Sequence, residues 1–238
     1  MYKKGMATTP LSALLNRPSA GFHPVVPFDP AKDQLFPFDF TESNTGLAGE
    51  DIADTERFAM YINRTLREHG ARYGFGGYGE HRTLYARSRH FDSASEEPRR
   101  LHLGIDIWGP AGTKVMAPLA GIIHSFAFNN NDSDYGATLI LTHQLEGISF
   151  HTLYGHLSLN SLKNLHEGKN ISGGEVIGEF GMRFENGNWP PHLHFQVIAD
   201  MQGWQGDYPG VCKYSERKGY LDNCPDPDTI LRLRRYVK

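Results

Sequence analysis

The sequence has little cysteine, little net charge and no long apolar run, and each shortage removes a class of protein. Only Cys212 and Cys224 occur in 238 residues. That is too few for a disulfide-stapled secreted scaffold, and the pair lacks the Cys-x-x-Cys spacing of a structural zinc site, so free thiols are expected. Basic residues number 24 and acidic ones 27, scattered along the chain, for a net charge of −3. This leaves no electrostatic footprint for nucleic acid or an anionic membrane. No stretch approaches the roughly 18 consecutive apolar residues that cross a bilayer, and the mean hydropathy of −0.47 agrees, so membrane insertion is not expected. Lys3 and Lys4 are followed by Thr8, Thr9, Pro10, Ser12, Asn16 and Arg17 rather than by an apolar stretch of about 7–15 residues. No secretory signal is visible, so a cytoplasmic location is expected, with a periplasmic or cell-wall-associated one as the alternative.

What is present is ample apolar and turn-forming material. Hydrophobic residues make up 39% of the chain, with 14 Phe, 11 Tyr and 3 Trp, enough for a real core. The 26 Gly and 14 Pro indicate many turns, and 12 His are a generous supply of metal-binding imidazole. Residues 1–50 read as a proline- and aromatic-rich N-terminal arm, with Phe22, Phe28, Phe36, Phe38 and Phe40 spaced among prolines. Residues 51–98 read as a lead-in segment. Within it Asp54 caps a helix whose Phe58, Tyr61, Ile62 and Leu66 share one stripe and which Gly70 stops. Residues 99–238 hold the main domain. Short turn-bounded strands dominate it, including an expected hairpin of Thr113–Ala117 with Ile122–Phe128 across Pro118-Leu119-Ala120-Gly121. The expected class is mainly β, an antiparallel sheet or barrel-like sandwich with an extended arm and one or two short helices.

Three elements carry chemistry. In Pro190-Pro191-His192-Leu193-His194-Phe195-Gln196-Val197 the prolines enforce extended entry. Side chains then alternate, so His192, His194 and Gln196 share one face while Leu193, Phe195 and Val197 share the core face. Two imidazoles about 6.5 Å apart let one ligate a metal while the other meets a water. His102-Leu103-Gly104-Ile105-Asp106 would span about 13 Å on a regular strand, too far for shared coordination at ~2.0–2.2 Å, so a bend at Gly104 is expected. In Thr152-Leu153-Tyr154-Gly155-His156-Leu157, Tyr154 and His156 fall on one face of a regular strand.

In order and content these elements resemble the lysostaphin and LytM-type zinc metallopeptidases. That family is marked by an H-x-x-x-D element, a later YxHL-like element and a final HxH usually written PHLHF. They stand here as His102 to Asp106, Tyr154 to Leu157 and Pro191 to Phe195, and the intervening Ala111 to Pro118 is similar as well. The resemblance spans roughly residues 100–200. It implies the duplicated hybrid motif fold, one Zn²⁺ per chain held by His102, Asp106 and His194, and His156 and His192 as the catalytic histidines beside an open coordination position. It further implies hydrolysis of an amide bond by zinc-activated water, in peptide or peptidoglycan-fragment substrates. Tyr154 is assigned to the reacting intermediate, and Arg82, with Arg87 and Arg89, to a substrate carboxylate. His143 and His151 are expected to be structural.

Two other readings stand beside this one. Two histidines and a carboxylate also form the facial triad of non-haem iron oxygenases, although those enzymes usually place one residue between the first His and the carboxylate, where this chain has three. A non-catalytic peptide-binding or regulatory member of the same fold would need its groove blocked, and the aromatic arm before residue 50 is the candidate block.

Overall fold

The structure is a computed structural model that describes residues 10–17, 21–47, 52, 54–82 and 96–237. Among the described residues the helices are α1 (Pro10–Leu15), α2 (Thr55–Glu68), α3 (Arg217–Asn223) and α4 (Asp228–Leu231). The strands are β1 (Leu35–Phe38), β2 (Tyr73–Gly76), β3 (Arg99–His102), β4 (Ile105–Trp108), β5 (Lys114–Met116), β6 (Gly121–Asn129), β7 (Gly136–Leu145), β8 (Ile148–Leu157), β9 (Asn170–Ile171), β10 (Val176–Glu179), β11 (His192–Ile198) and β12 (Val211–Lys213). Eight of them build one sheet in the order β1-β2-β4-β11-β8-β7-β6-β9, while β10 pairs with β5 and β12 with β3.

The chain is mainly β, as expected, but the sheet is open and mixed. β1 runs parallel to β2, whereas the remaining pairs of the sheet are antiparallel. A closed barrel would need its end strands to pair with each other, and these are poor partners: β1 is short and carries Pro37, which lacks a donor, and β9 has two residues. In the stretch expected to be an extended arm, residues 10–15 are helical and β1 has joined the sheet.

The hairpin expected across residues 118–121 does not form. β5 pairs with β10, and β6 pairs with β7 and β9. The backbone of Ala117 is taken by residues 174 and 175, and the Met116 N–H donates to Val25 O at 2.9 Å, so the ladder a hairpin needs is already used. The Pro118–Gly121 turn therefore carries the chain between sheets.

α2 forms where expected. The Asp54 side chain accepts from the Arg57 N–H, and Phe58, Ile62 and Leu66 are buried. Gly70 follows at φ +58°, a left-handed conformation that costs glycine little. These residues pack with Phe38, Phe40, Trp108 and Trp189 in one cluster, separate from the main core of Ile105, Ile107, Leu193, Phe195 and Val197. No described helix is long and apolar enough to cross a membrane, and both cysteines are buried free thiols.

His143 lies on β7 and His151 on β8. His143 bonds to Ala120 O at 3.0 Å and to the Thr152 hydroxyl at 2.7 Å, and burial lowers its pKa. Burial, followed by the charge of His124, takes His151 down to about 4. An unfolded histidine titrates near ~6.5. Between these values the unfolded chain binds protons that the folded chain refuses, so stability is full above about 6.5 and falls as the pH drops toward 4. Urea midpoints should decline across that window, and His151→Gln should flatten the decline. An equal slope in both proteins would exclude this origin.

Candidate active site

Strand register brings the motifs together. In the β4–β11 ladder His194 stands opposite Asp106 and His192 opposite Trp108. On β4, Ile105 and Ile107 enter the core, so Asp106 and Trp108 take the other face. The chain bends at Gly104 between β3 and β4, as the spacing requires. A Cβ there would lie 2.5 Å from His194 Cε1, so a side chain would displace the imidazole.

The result is a triangle of donors. His102 Nε2 lies 3.0 Å from His194 Nδ1, Asp106 Oδ1 is 3.3 Å from His102 Nε2, and the same oxygen is 3.1 Å from His194 Nδ1. All three residues are buried, and among the described residues they are the group of His, Cys, Asp and Glu able to hold a metal ion. Their outer contacts decide which atoms carry protons. His102 Nδ1 lies 3.0 Å from the carbonyl of Gly77, which can only accept, and His194 Nε2 lies 2.9 Å from Gln196 Oε1. These partners place the N–H groups outward and assign lone pairs to His102 Nε2 and His194 Nδ1. Two imidazole lone pairs and a carboxylate oxygen then converge with no proton between them, an arrangement that a cation relieves. Tetrahedral ligands at ~2.0–2.1 Å from zinc lie about 3.3 Å apart, so the donor set and its spacing fit that ion.

The other oxygen of Asp106 is occupied. Arg82 Nη1 donates to Oδ2 at 2.5 Å, and Arg82 Nε donates to Glu80 Oε2 at 2.6 Å. Burial works to raise the Asp106 pKa, but His102 and Arg82 oppose it and hold the carboxyl well below its ordinary range. Arg82 is the partner that is charged at neutral pH, because burial takes His102 down to about 4.

Two further imidazoles stand beside the triangle. His192 Nδ1 donates to Pro190 O and His156 Nδ1 to Asn186 O, each at 2.8 Å, which leaves both Nε2 atoms as acceptors. His192 Nε2 is 4.0 Å from Asp106 Oδ1. The two rings lie 4.1 Å apart, and His192 stacks on Trp108 at 3.9 Å. Burial lowers both pKa values, His192 to about 4 and His156 well below its ordinary value, so both rings are neutral bases at pH 7. All five side chains open on one cavity of about 140 Å³, also walled by Tyr135, Trp189, Trp204 and Tyr208.

One assignment changes. Tyr154 does not reach the cavity: it is fully buried, bonded to the Thr152 hydroxyl at 2.9 Å and packed on Phe195. The shared face expected for Tyr154 and His156 assumed a regular strand. The β7–β8 register shifts after Tyr154, and His156 adopts φ +62°, which turns its ring to the opposite face. Arg82 reaches the cavity, with its Nε and Nη1 bonded to Glu80 and Asp106. Arg87 and Arg89 lie outside the described residues. The sequence reading missed Trp108, although its position two residues beyond Asp106 on one strand was the available signal. It also missed Tyr135, whose ring lies 5.1 Å from that of His194 and 5.6 Å from that of His156, and the carbonyl of Asn186, for which no residue pattern exists.

Comparison with known proteins finds partial matches. Residues 100–206 match the model of peptidase family M23. The chain is 40% identical over 103 residues to the DD-carboxypeptidase/endopeptidase Mpg of Neisseria meningitidis serogroup B, and 38% identical over 103 residues to that of Neisseria gonorrhoeae. These matches cover 43% of this chain and 21% of each relative, so the chain spans about a fifth of the length of the curated relatives it matches. Among solved structures, the catalytic domain of lysostaphin from Staphylococcus simulans is 22% identical with a TM-score of 0.40, covering 68% of this chain and 97% of that one. A zinc-containing peptidase from Vibrio cholerae is 21% identical with a TM-score of 0.34, covering 46% of this chain and 34% of that one.

Proposed function

We propose that this chain, whose residues 100–206 match the model of peptidase family M23, is a member of that family and a zinc-dependent endopeptidase that hydrolyses amide bonds in peptidoglycan-type peptides. The observation that carries the reading is the convergence of three deprotonated donors, His102 Nε2, Asp106 Oδ1 and His194 Nδ1, next to two neutral histidines in one cavity. His102, Asp106 and His194 would hold the ion. Bound there, zinc would supply Lewis acidity and bring the pKa of a water toward ~7.

The remaining work falls to the chain. A neutral His156 or His192 takes a proton from the attacking water at Nε2 as the water oxygen bonds to the scissile carbonyl carbon. The resulting N–H can bond to the tetrahedral oxygen. As the C–N bond breaks, the same proton passes to the leaving nitrogen, and the second proton of the water leaves the new carboxyl for that amine, which gives one carboxylate, one ammonium and a neutral imidazole. The carbonyls of Pro190 and Asn186 keep Nδ1 protonated throughout and aim Nε2 inward. Trp108 lines the cavity, and its buried Nε1 has no hydrogen-bond partner among the described residues, a donor that a bound peptide carbonyl would satisfy.

The curated relatives named above are DD-carboxypeptidase/endopeptidases, and this supports peptide-bond hydrolysis. No described residue of 10–47 lines the cavity. Cytoplasmic chains would meet such peptides as soluble fragments and exported chains as the polymer, so the test uses both. Purified peptidoglycan and a panel of short peptides are digested with wild type and with His192→Ala and read by mass spectrometry. The proposal expects new amine and carboxylate termini, one water gained per cut, from the wild type alone. Intact substrates with zinc bound would favour the non-catalytic reading, and stoichiometric iron with oxygen uptake would favour the oxygenase.

A further inference from the structure

We infer that residues 35–47 and 54–82, which lie outside the stretch matched by the family, complete the metal centre, with Arg82 as the positioning residue that holds Asp106 in its ligating rotamer. The inference rests on the zinc reading above. Arg82 is 1% exposed, so its charge is committed to the interior. Its guanidinium joins Asp106 Oδ2 to Glu80 Oε2, and Glu80 Oε1 in turn accepts the Phe40 N–H at 3.1 Å. The Phe40 ring lies 5.5 Å from the guanidinium carbon. Gly76, opposite Asp106 in the β2–β4 ladder, leaves the space, since a Cβ there would lie 2.9 Å from Arg82 Nη2. The next residue, Gly77, supplies the carbonyl that fixes the His102 tautomer. Phe40 and Phe58 meet Trp108 edge-on, and Trp108 stacks on His192. Three of the five site side chains are thus held from this segment.

With Oδ2 occupied, Asp106 offers a single oxygen, Oδ1, to the two imidazoles. A carboxylate without this tether would turn about its side-chain torsions and lose that freedom on binding the ion. The fork geometry of arginine suits the task, because one planar group bonds to two carboxylates at fixed angles. The Glu80–Arg82 pair is neutral as a unit, so it orients Asp106 without adding net repulsion of a cation.

This gives a test whose sign separates positioning from charge. Arg82→Gln removes a positive charge and leaves the half-buried Glu80 without it, which on electrostatics alone would tighten zinc. Loss of orientation would weaken it. Arg82→Lys keeps the charge and loses the fork. In the full chain, zinc affinity is measured by competition with a chromophoric chelator, and coordination geometry by the visible absorption of the cobalt-substituted protein. The inference expects Arg82→Gln to weaken zinc by about 10–100-fold, the usual cost of losing an outer partner of a ligand, with an altered cobalt spectrum. Arg82→Lys should fall between that variant and wild type, and it carries the test if Arg82→Gln does not fold. Wild-type or tighter zinc affinity in Arg82→Gln, or wild-type affinity and spectrum in Arg82→Lys, would overturn the positioning role. A wild type that binds no zinc overturns the zinc reading itself, whereas a zinc-binding wild type with indifferent variants overturns this inference alone.

Discussion

His194→Ala should lose zinc and, with it, peptide cleavage. His194 Nδ1 is the vertex nearest both other donors, at 3.0 and 3.1 Å, and its removal leaves one imidazole and one carboxylate oxygen. The expected fall in zinc affinity exceeds the roughly 10–100-fold that loss of an outer hydrogen-bonding partner costs. The ring is also enclosed by Tyr135 and Gln196, so no neighbouring imidazole swings into the gap without breaking its own carbonyl bond. Chelator competition measures the affinity, and cleavage of the responsive peptide from the digestion panel measures activity. Dialysis of wild type against a chelator should produce the same inactivity, reversed by zinc, whereas zinc should not restore the variant. A variant that keeps stoichiometric zinc would move the metal elsewhere.

His156→Ala and His192→Ala should behave in the opposite manner, keeping zinc while losing about 10²–10⁴ in kcat. Neither ring is in the donor triangle, and each keeps Nδ1 bonded to a backbone carbonyl with Nε2 turned inward. Their rings lie 4.1 Å apart, so they address the same reacting atoms and their losses should not multiply. The double variant should be little worse than the poorer single one. Because His192 also stacks on Trp108, its replacement should raise KM as well, while His156→Ala acts mainly on kcat. Zinc content, kcat and KM on one peptide decide this. Full activity in both single variants would leave proton transfer without a carrier.

The legibility of the site varied with how local its cause was. Period-two alternation put His192, His194 and Gln196 on one face, and the structure keeps them there because Leu193, Phe195 and Val197 are bound to the core. The required bend between His102 and Asp106 was readable from distance alone, although the reason glycine is needed, a ring pressed against it, comes from β11, some ninety residues away. α2 was readable because its cap, stripe and stop are all local. The faces of Tyr154 and His156 were misread because one residue at φ +62° inverts the alternation, and no residue type announces a left-handed histidine. The hairpin failed for a non-local reason too, since Ala117 and Met116 find partners at residues 174, 175 and 25. Arg82 was singled out for its charge, but its burial between two carboxylates depends on β2 lying against β4, a pairing with no signature in composition.

The most direct measurement is an anomalous difference map, collected on either side of the zinc absorption edge from crystals of the full chain. The account predicts a single peak within about 2.0–2.2 Å of His102 Nε2, His194 Nδ1 and Asp106 Oδ1. A zinc peak bound by other residues, or none at these three atoms in zinc-loaded protein, would contradict it.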